Sequence, residues 1–262
     1  MFSQFKFHAD AYAASGVITS PTPHSIEVQA ASTLPVTGGT STSRVENFAY
    51  EGQNGKVLTF SSGYTQILGY YNDAEKAWLT SVTATVENLN ILDVVTADKI
   101  VARVSSKHTG DGEPSILLVG SHFENLIIAG HPVNLNLATD AIDRCDTYSG
   151  MANAYRGDDQ FRALFGRLSL PGLGAGPASK TIPMSKDGMI GCTLVDGIQC
   201  PTSTQIGQLN TVITIPQFGV IHLAELLIQA DERRLTMLRV ELGTPPSGTI
   251  SAGGGGSNGR GY

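Results

Sequence analysis

Residues 80–91 read TSVTATVENLNI, a run in which apolar and polar residues alternate. Apolar residues alternate with threonines in its first half, and Leu89 resumes the alternation out of phase. A period of two is typical of a β-strand with one buried face. A second alternating stretch follows Asp93 and ends near residue 107. Two such stretches joined at a turn residue predict a β-hairpin that reverses at Asp93. The phase change at Glu87-Asn88 predicts a β-bulge.

The Glu-Asn pair in that run belongs to a phrase that recurs along the chain. Val-Glu-Asn-Phe occupies 45–48, Val-Glu-Asn-Leu 86–89 and Phe-Glu-Asn-Leu 123–126, with a weaker echo at 221–226. Nearly equal spacing predicts one hairpin-sized unit that is used repeatedly. We interpret the pair as a device that bends each strand around a core. The alternative is that the three glutamates converge on a cation.

Composition favours a turn-rich β protein. Charged residues make up 15% of the chain against a usual value of about 25%, and 30 of the 262 residues are glycine. The net charge is −6 with no basic run, which argues against nucleic acid as a partner. No segment approaches the ~20 apolar residues of a membrane helix. We predict an all-β fold, an antiparallel β-sandwich or jelly-roll-like barrel with a small helix-containing insertion.

The chain divides into five segments by composition. Residues 1–19 are predicted to form an N-terminal strand that serves as a donor arm, and 20–139 and 206–245 to form the β-sandwich core. Residues 140–205 are predicted to be an insertion with a short helix and a hairpin. Residues 246–262 are a glycine-rich tail, which we expect to be trapped between subunits.

The insertion carries its own signals. Asp158 and Asp159 can cap a helix whose apolar positions, Phe161 and Phe165 among them, recur at helical spacing. Asp196-Gly197 is a hairpin-turn signal that would bring Cys192 opposite Cys200. The spacing therefore leaves two alternatives, a disulfide between Cys192 and Cys200 or free thiols. Cys145 would be unpaired in either case.

No reactive constellation is visible in the sequence. There is no nucleophile–base pair and no phosphate-binding loop in a strand–loop–helix unit, so we predict no enzyme, no cofactor and no catalytic residue. Two weaker metal sites stay open as alternatives. One is a calcium ion at Asp140, Asp143 and Asp146, and the other an intersubunit ion at His122 and Glu124, with His131 too far along the hairpin to join them.

Several motifs resemble the bacterial surface proteins called choice-of-anchor P. Three of them are Ala-Tyr-Ala-Ala-Ser-Gly at 11–16, the segment 34–39 from Leu-Pro to Gly-Gly, and the segment 120–133 from Gly-Ser-His-Phe-Glu-Asn-Leu to Pro-Val. The others are the segment 94–104 and the segment 215–223 together with 235–241. The resemblance covers most of 9–139 and 206–242 and leaves 140–205 unaccounted for. It implies an exported, mostly β protein without a catalytic site, although no secretory signal and no anchoring segment are visible.

From these features we expect a non-catalytic, self-assembling structural subunit of a fibre or surface layer, located outside the cell or at its surface. The subunit would pair strand 5–18, or the inserted arm, with the next copy of the chain. Deletion of residues 1–19 would then leave a folded monomer that does not polymerise. The side chains expected at the contact are aromatic: Phe5, Phe7, Tyr12, Phe161, Phe165 and Tyr262.

Two other functions are kept as alternatives. A carbohydrate-binding adhesin would use glycans as partners and stack sugars on exposed aromatic side chains, for which the candidates are Tyr64, Tyr70, Tyr71 and Trp78. A β-fold hydrolase would require a pocket in which carboxylates converge. Neither reading has a motif of its own in this sequence.

Overall fold

The computed structural model describes residues 5–53, 55–110, 112–170, 182–199, 207–209 and 212–261. Strands account for 62% of the structure and helices for 11%, which confirms the predicted all-β class with a small helical insertion.

The N-terminal half is built from strands that follow one another closely. In chain order these are β1 (Phe5–Lys6), β2 (Ala9–Ser20), β3 (His24–Gln29), β4 (Ser32–Thr33), β5 (Gly39–Gly52), β6 (Gly55–Asn72), β7 (Ala77–Ile91), β8 (Val95–His108), β9 (Ser115–Leu117), β10 (His122–Glu124), β11 (Ile127–Ile128), β12 (His131–Pro132) and β13 (Asn134–Leu137).

Helices and further strands complete the chain. They are α1 (Thr139–Asp143), α2 (Tyr148–Gly157), α3 (Asp159–Leu168), β14 (Ile190–Thr193), β15 (Val195–Gln199), β16 (Gly207–Leu209), β17 (Val212–Ile215), β18 (Gly219–Ile228), β19 (Arg233–Leu242), β20 (Ser247–Ser257) and β21 (Arg260–Gly261).

Two antiparallel sheets form the body of the molecule. The first sheet has the order β12-β11-β8-β7-β6-β5, with β9 and β10 also paired to β8. The second sheet has the order β16-β17-β18-β19-β20-β2-β3, with β14 paired to β18 and β4 to β2. Strands β2 and β20 of the second sheet pack on β6, β7 and β8 of the first, so the two sheets form a sandwich.

Alternate residues of the long strands fill the space between the sheets. The largest buried cluster combines positions from both sheets, such as Val86 and Ile100 from the first and Leu223 and Val240 from the second. A smaller cluster closes one end, where Phe5 and Phe7 pack against Trp78. This is the packing expected of strands with one apolar face.

The repeated Glu-Asn phrase has a common backbone conformation. Asn47, Asn88 and Asn125 all have positive φ, at 53°, 51° and 47°. Asparagine tolerates this left-handed region better than most residues because its short side chain can hydrogen-bond locally. Leu89 is buried whereas Glu87 and Asn88 face outward, so the left-handed residue accounts for the predicted phase change.

These asparagines lie in one line across the first sheet. The residue pairs on either side of each asparagine fix its position in the sheet. On β6, Ser61 lies between Asn47 and Asn88, and on β8, Asp98 lies between Asn88 and Asn125. The pairing register is the same on both sides of Asn88, so no residue is inserted and the predicted bulge is wrong. The phrase therefore occupies the same structural position on each of its three strands. That it bends the strands around the core stays a prediction.

The second sheet has an equivalent line. Ala224, in the weaker echo of the phrase, has φ 50°, and Gly253 on β20 has φ 61°. Flanking pairs place Met237 between them in the ladder. Each sheet therefore carries one line of left-handed residues, exposed in the first sheet and buried in the second.

The glycine-rich segment is not a tail. Residues 247–257 form β20, which lies between β19 and β2 in the second sheet. Gly253 to Gly256 are all buried. The prediction of a tail over 246–262 is wrong because this segment gains ladder hydrogen bonds on both sides and packs against the first sheet.

The N-terminal strand is likewise an internal element. Strand β2 pairs with β20 along one side and with β3 and β4 along the other. Strand β1 pairs with β21, so the first and last strands of the described structure are neighbours. Because β2 has a partner on each side, it has no free edge to offer, and its role as a donor arm would require it to leave its own sheet.

The insertion contains more structure than the sequence indicated. Helix α3 is confirmed, and the Asp158 side chain accepts hydrogen bonds from the backbone N–H groups of Gln160 and Phe161. Helices α1 and α2 were not predicted, since α2 contains a serine, an asparagine and two glycines, which weaken a helical signal. The predicted 192–200 hairpin is wrong, because β14 pairs with β18 and β15 with β13.

Candidate functional site

Strand β5 is the most accessible edge of the sandwich. It has 14 residues, pairs with β6 along one side, and none of its residues is buried. Within the described part of the chain, no strand pairs with its other side. Every second N–H and C=O group of such a strand points away from the sheet, so β5 presents an extended row of unpaired backbone groups.

Packing on one face holds this edge in place. The side chains of Val45, Phe48 and Tyr50 lie against the main core, and the ring of Phe48 stacks on Phe60 with 5.0 Å between centroids. The opposite face is hydrophilic and carries an Arg44–Glu46 ion pair. The sequence favours this arrangement because apolar and polar residues alternate along the strand.

The other edges that the structure describes are shorter. Strands β3 and β4, with six and two residues, form one edge of the second sheet. The far side of β8 is covered in succession by β9, β10 and β11. Strand β5 is therefore the longest edge in the described structure.

A cleft of about 470 Å³ lies where β5 ends. Its lining comes from the β2–β3 turn, the β5–β6 turn, Leu92 between β7 and β8, and Pro246 between β19 and β20. The ring of His24 stacks on Tyr50 at this cleft, with centroids 5.3 Å apart and an interplanar angle of 17°. The lining is mostly apolar, and Glu51 is its one carboxylate among the described residues.

A second cleft, of about 600 Å³, lies beside β10 and β11. It is more polar, and Asn125 there donates a hydrogen bond to Asp98 at 2.6 Å. His122 Nε2 lies 3.1 Å from Glu124 Oε1, so the predicted pair does share a face. His131 lies on β12, which pairs with β11 and not with β10.

Metal-binding alternatives receive no support from the geometry. No group of three or more His, Cys, Asp or Glu side chains within the described ranges is arranged to hold a metal ion. Asp143, one of the three predicted calcium ligands, accepts a hydrogen bond from the Leu118 N–H at 3.1 Å. Burial raises the pKa of Asp143, and the nearby charges of Asp140 and Asp146 raise it further.

Most of the predicted contact residues serve the core of their own chain. Phe5, Phe7, Phe161 and Phe165 are all buried, with exposures between 0% and 8%. Tyr12 is half-buried on β2. Tyr262 lies outside the described residues, and its role at the contact stays a prediction. In the described structure these aromatic side chains therefore do not form an exposed contact surface, and the predicted contact is wrong for the four buried residues.

Two of the three cysteines lie in the described structure, and both are free thiols. Cys192 is a free, fully buried thiol on β14, and burial raises its pKa to about 12. Cys145 is also free and half-buried. Cys200 lies outside the described residues. Because Cys192 is a free thiol and the 192–200 hairpin is not formed, the structure favours the free-thiol alternative over the disulfide.

The predicted sugar platform is split in two. Tyr64 and Tyr70 lie on the outer face of β6, where Tyr70 is 52% exposed. Tyr71 and Trp78 are strand partners with ring centroids 5.0 Å apart, and Trp78 also stacks on Phe5. The four aromatic side chains therefore do not form one surface.

The described structure contains a cluster of charged side chains that was not predicted from the sequence. On the second sheet, Arg239 donates two hydrogen bonds to Glu225, at 2.6 and 2.7 Å, and also pairs with Glu241. His222 lies 3.5 Å from Glu225 and 3.4 Å from Glu241, and burial lowers its pKa. The hydrogen bonds to Glu225 raise the pKa of Arg239. The Arg239 guanidinium thus binds both carboxylates, and such charge-assisted pairs stabilise the fold. We therefore assign this cluster a structural role.

A family model described as Domain of unknown function (DUF8256) matches residues 5–168. Neither the curated proteins nor the solved structures gave a match. Among the described residues, no helix has the length and apolar character that crossing a membrane requires.

Proposed function

The chain belongs to the DUF8256 family, a domain of unknown function, and for it we propose a structural role, that of a non-catalytic subunit that assembles with copies of itself. The contact is the pairing of the β5 edge with a strand of another subunit. The product is a fibre or surface layer outside the cell.

The observation that supports this proposal is the free edge of β5. Its 14 residues offer backbone donors and acceptors without a partner in the described structure, and no Pro or Lys interrupts it. Soluble proteins commonly protect such edges with prolines, lysines or bulges. The register shift in β5 lies between Tyr50 and Glu51, near the end of the strand, and leaves residues 39–50 in one continuous register. An added strand gains main-chain hydrogen bonds along its whole length, which makes the contact repeatable.

Two further features fit the same role. The low content of charged residues, 15%, weakens the repulsion between copies. The resemblance to choice-of-anchor P proteins favours an extracellular location. A contact between β5 and a different edge of the next copy does not close on itself and generates a filament.

Adjacent proline substitutions test the edge. Successive N–H groups of a strand point to opposite sides, so one of Thr42→Pro and Ser43→Pro removes an outward amide and the other removes a bond to β6. The wild-type protein should form oligomers in light scattering and particles in negative-stain microscopy. The proline variant that keeps the thermal stability of the wild type should remain monomeric.

The neighbouring proline variant is the matched control, because it places the same residue one position away and weakens the β5–β6 ladder. A wild-type protein that is monomeric up to millimolar concentration would contradict the proposal. So would a stable proline variant that assembles as the wild type does.

A second candidate function, glycan binding, is favoured by Tyr64 and Tyr70. They share the outer face of β6 and lie six residues apart, which corresponds to about 20 Å along a strand. A glycan array screened with the wild type and with Tyr70→Ser tests it, with Tyr71→Ser as the control on the opposite face. Binding that is absent in the wild type, or equal in the wild type and Tyr70→Ser, counts against this candidate.

A further inference from the structure

We propose that the cleft at the end of β5 binds a small organic cation with a flat apolar ring. This site is separate from the outward backbone groups of β5 and does not depend on self-assembly. The proposal follows from the shape of the cleft, its apolar lining and the charge at its rim.

The size of the cleft suits a small molecule. Its volume of about 470 Å³ falls within the ~300–1,000 Å³ that is usual for ligand sites. Four chain segments that are separate in sequence converge to form it, namely the turns around residues 21 and 53, Leu92 directly after β7, and the turn before β20. Because each turn is anchored by long strands, the cleft exists before a ligand arrives.

The lining provides an apolar floor with rigid walls. Ile18 and Val57 are almost fully buried, at 4% and 3% exposure, and form the floor together with Leu92. Pro21 and Pro246 line the same space. Ring carbons of a ligand that contact these groups leave water, which favours binding by about 25 cal/mol per Å² buried.

An aromatic pair supplies a preference for flat, positively charged groups. The Tyr50 and His24 rings are nearly parallel at 5.3 Å, and both line the cleft. A flat ring can extend such a stack. A cation near the face of a tyrosine gains a further interaction of about 0.5–2 kcal/mol.

The charge at the rim favours a cation over an anion. Glu51 is exposed and lines the cleft, and no ion pair of Glu51 is found among the described side chains. Lys56 is its register partner on β6 but does not line the cleft. The whole chain carries a net charge of −6, which attracts cations at long range.

Two indole probes of opposite charge test the proposal. Calorimetric titration of the wild-type protein with tryptamine should give a dissociation constant at least tenfold lower than titration with indole-3-acetate. Glu51→Gln should remove most of that preference, and Lys56→Gln should tighten tryptamine binding, because each changes one charge beside the cleft. Glu27→Gln is the matched control, since Glu27 is an exposed carboxylate on β3 that does not line the cleft.

The position of the ligand is tested separately. Thr22 is exposed at the rim, so Thr22→Trp should fill the cleft without disturbing the core and should abolish tryptamine binding. Equal binding of the two probes by the wild type would overturn the proposal. Undiminished binding by Glu51→Gln or by a folded Thr22→Trp protein would overturn it as well. None of these results depends on the oligomeric state.

Discussion

The ring of Tyr12 lies over Gly254, its partner in the β2–β20 ladder, so closely that residue 254 has no room for a side chain. A Cβ atom there would lie 2.3 Å from Tyr12 Cζ. On the neighbouring residue, a Cβ at Gly255 would lie 2.5 Å from Val82 Cγ1 of the first sheet. The glycine run is thus a thin strand between a tyrosine ring on one side and the opposing sheet on the other.

Substitution of Gly255 should therefore destabilise the protein. Gly255→Ala forces Val82 or the backbone of β2 to move, because the new Cβ would also lie 3.0 Å from the Asp10 carbonyl oxygen. We expect a loss of about 1–3 kcal/mol in the free energy of unfolding, measured by urea denaturation. Gly166→Ala in α3 is the control, since nothing lies within 4 Å of its Cβ position, and it should gain about 0.5–1 kcal/mol. Equal stability of the two variants would contradict the close approach of the sheets.

The left-handed residues should tolerate glycine better than a β-branched residue. Asn88 has φ 51° and donates a hydrogen bond to Ser61 Oγ at 2.8 Å. Asn88→Val loses that bond and places a β-branched residue in a strained conformation, so we expect it to be less stable by about 2 kcal/mol. Asn88→Gly should lose less, and Thr85→Val on the same face of β7 should be nearly neutral. A denaturation series in which Asn88→Val matches Thr85→Val would rule out the left-handed conformation.

Acid should destabilise the protein through His108. This side chain is 7% exposed and packs edge-on against Phe5. Burial, with a contribution from the Arg233 charge, lowers its pKa from 6.5 to about 4. Between pH 6.5 and pH 4 the unfolded chain binds a proton that the folded protein does not. The stabilising contribution is therefore complete above pH 6.5 and is lost as the pH falls through this window.

The size of that effect can be measured by difference. At about 1.4 kcal/mol per pKa unit, the loss by pH 4 should be about 2–3 kcal/mol. His108→Phe should show a shallower dependence of unfolding free energy on pH, whereas His8→Phe, at an exposed position, should follow the wild type. The same slope in His108→Phe and the wild type would exclude His108 as the source.

Deletion of residues 1–19 should prevent folding. The deletion removes almost all of β2, which separates β20 from β3 and β4 and contributes Ala13, Ala14 and Ile18 to the core. We expect the truncated chain to lose its cooperative thermal transition in circular dichroism. A synthetic peptide of residues 5–20 should restore the transition when added. A truncated chain that folds alone would instead support the donor-arm reading of this segment.

The sequence was sufficient to predict the elements that depend on neighbouring residues. The alternation in β7, the helix at Phe161 and Phe165 and the phase change at the Glu-Asn pair were predicted from the sequence, because each depends on residues within one or two turns or strand steps. The bulge expected at that pair was wrong, because a left-handed residue shifts the phase without an insertion. Helix α2 was missed because its residues are weak helix formers, and it is held by packing of Met151 and Tyr155.

The candidate sites could not be read in the same way. The phrase at 45–48 placed this segment in a repeated hairpin-sized unit, but the sequence did not show that β5 is an edge. The cleft beside it joins Ile18, Tyr50 and Pro246, which come from distant parts of the chain. The sequence also suggested a single platform of four aromatic residues, whereas Tyr70 and Tyr71 point to opposite faces of β6.

Local patterning by itself determined that this chain forms strands, where the apolar–polar alternation changes phase, and which face of each strand is apolar. The order of the strands was decided only by the tertiary structure, since pairing joins residues as distant as Ala14 and Ala252. The physical reason is that the free energy of an edge, a cleft or a buried glycine strand resides in contacts between segments, and those contacts do not appear in the sequence of either segment alone.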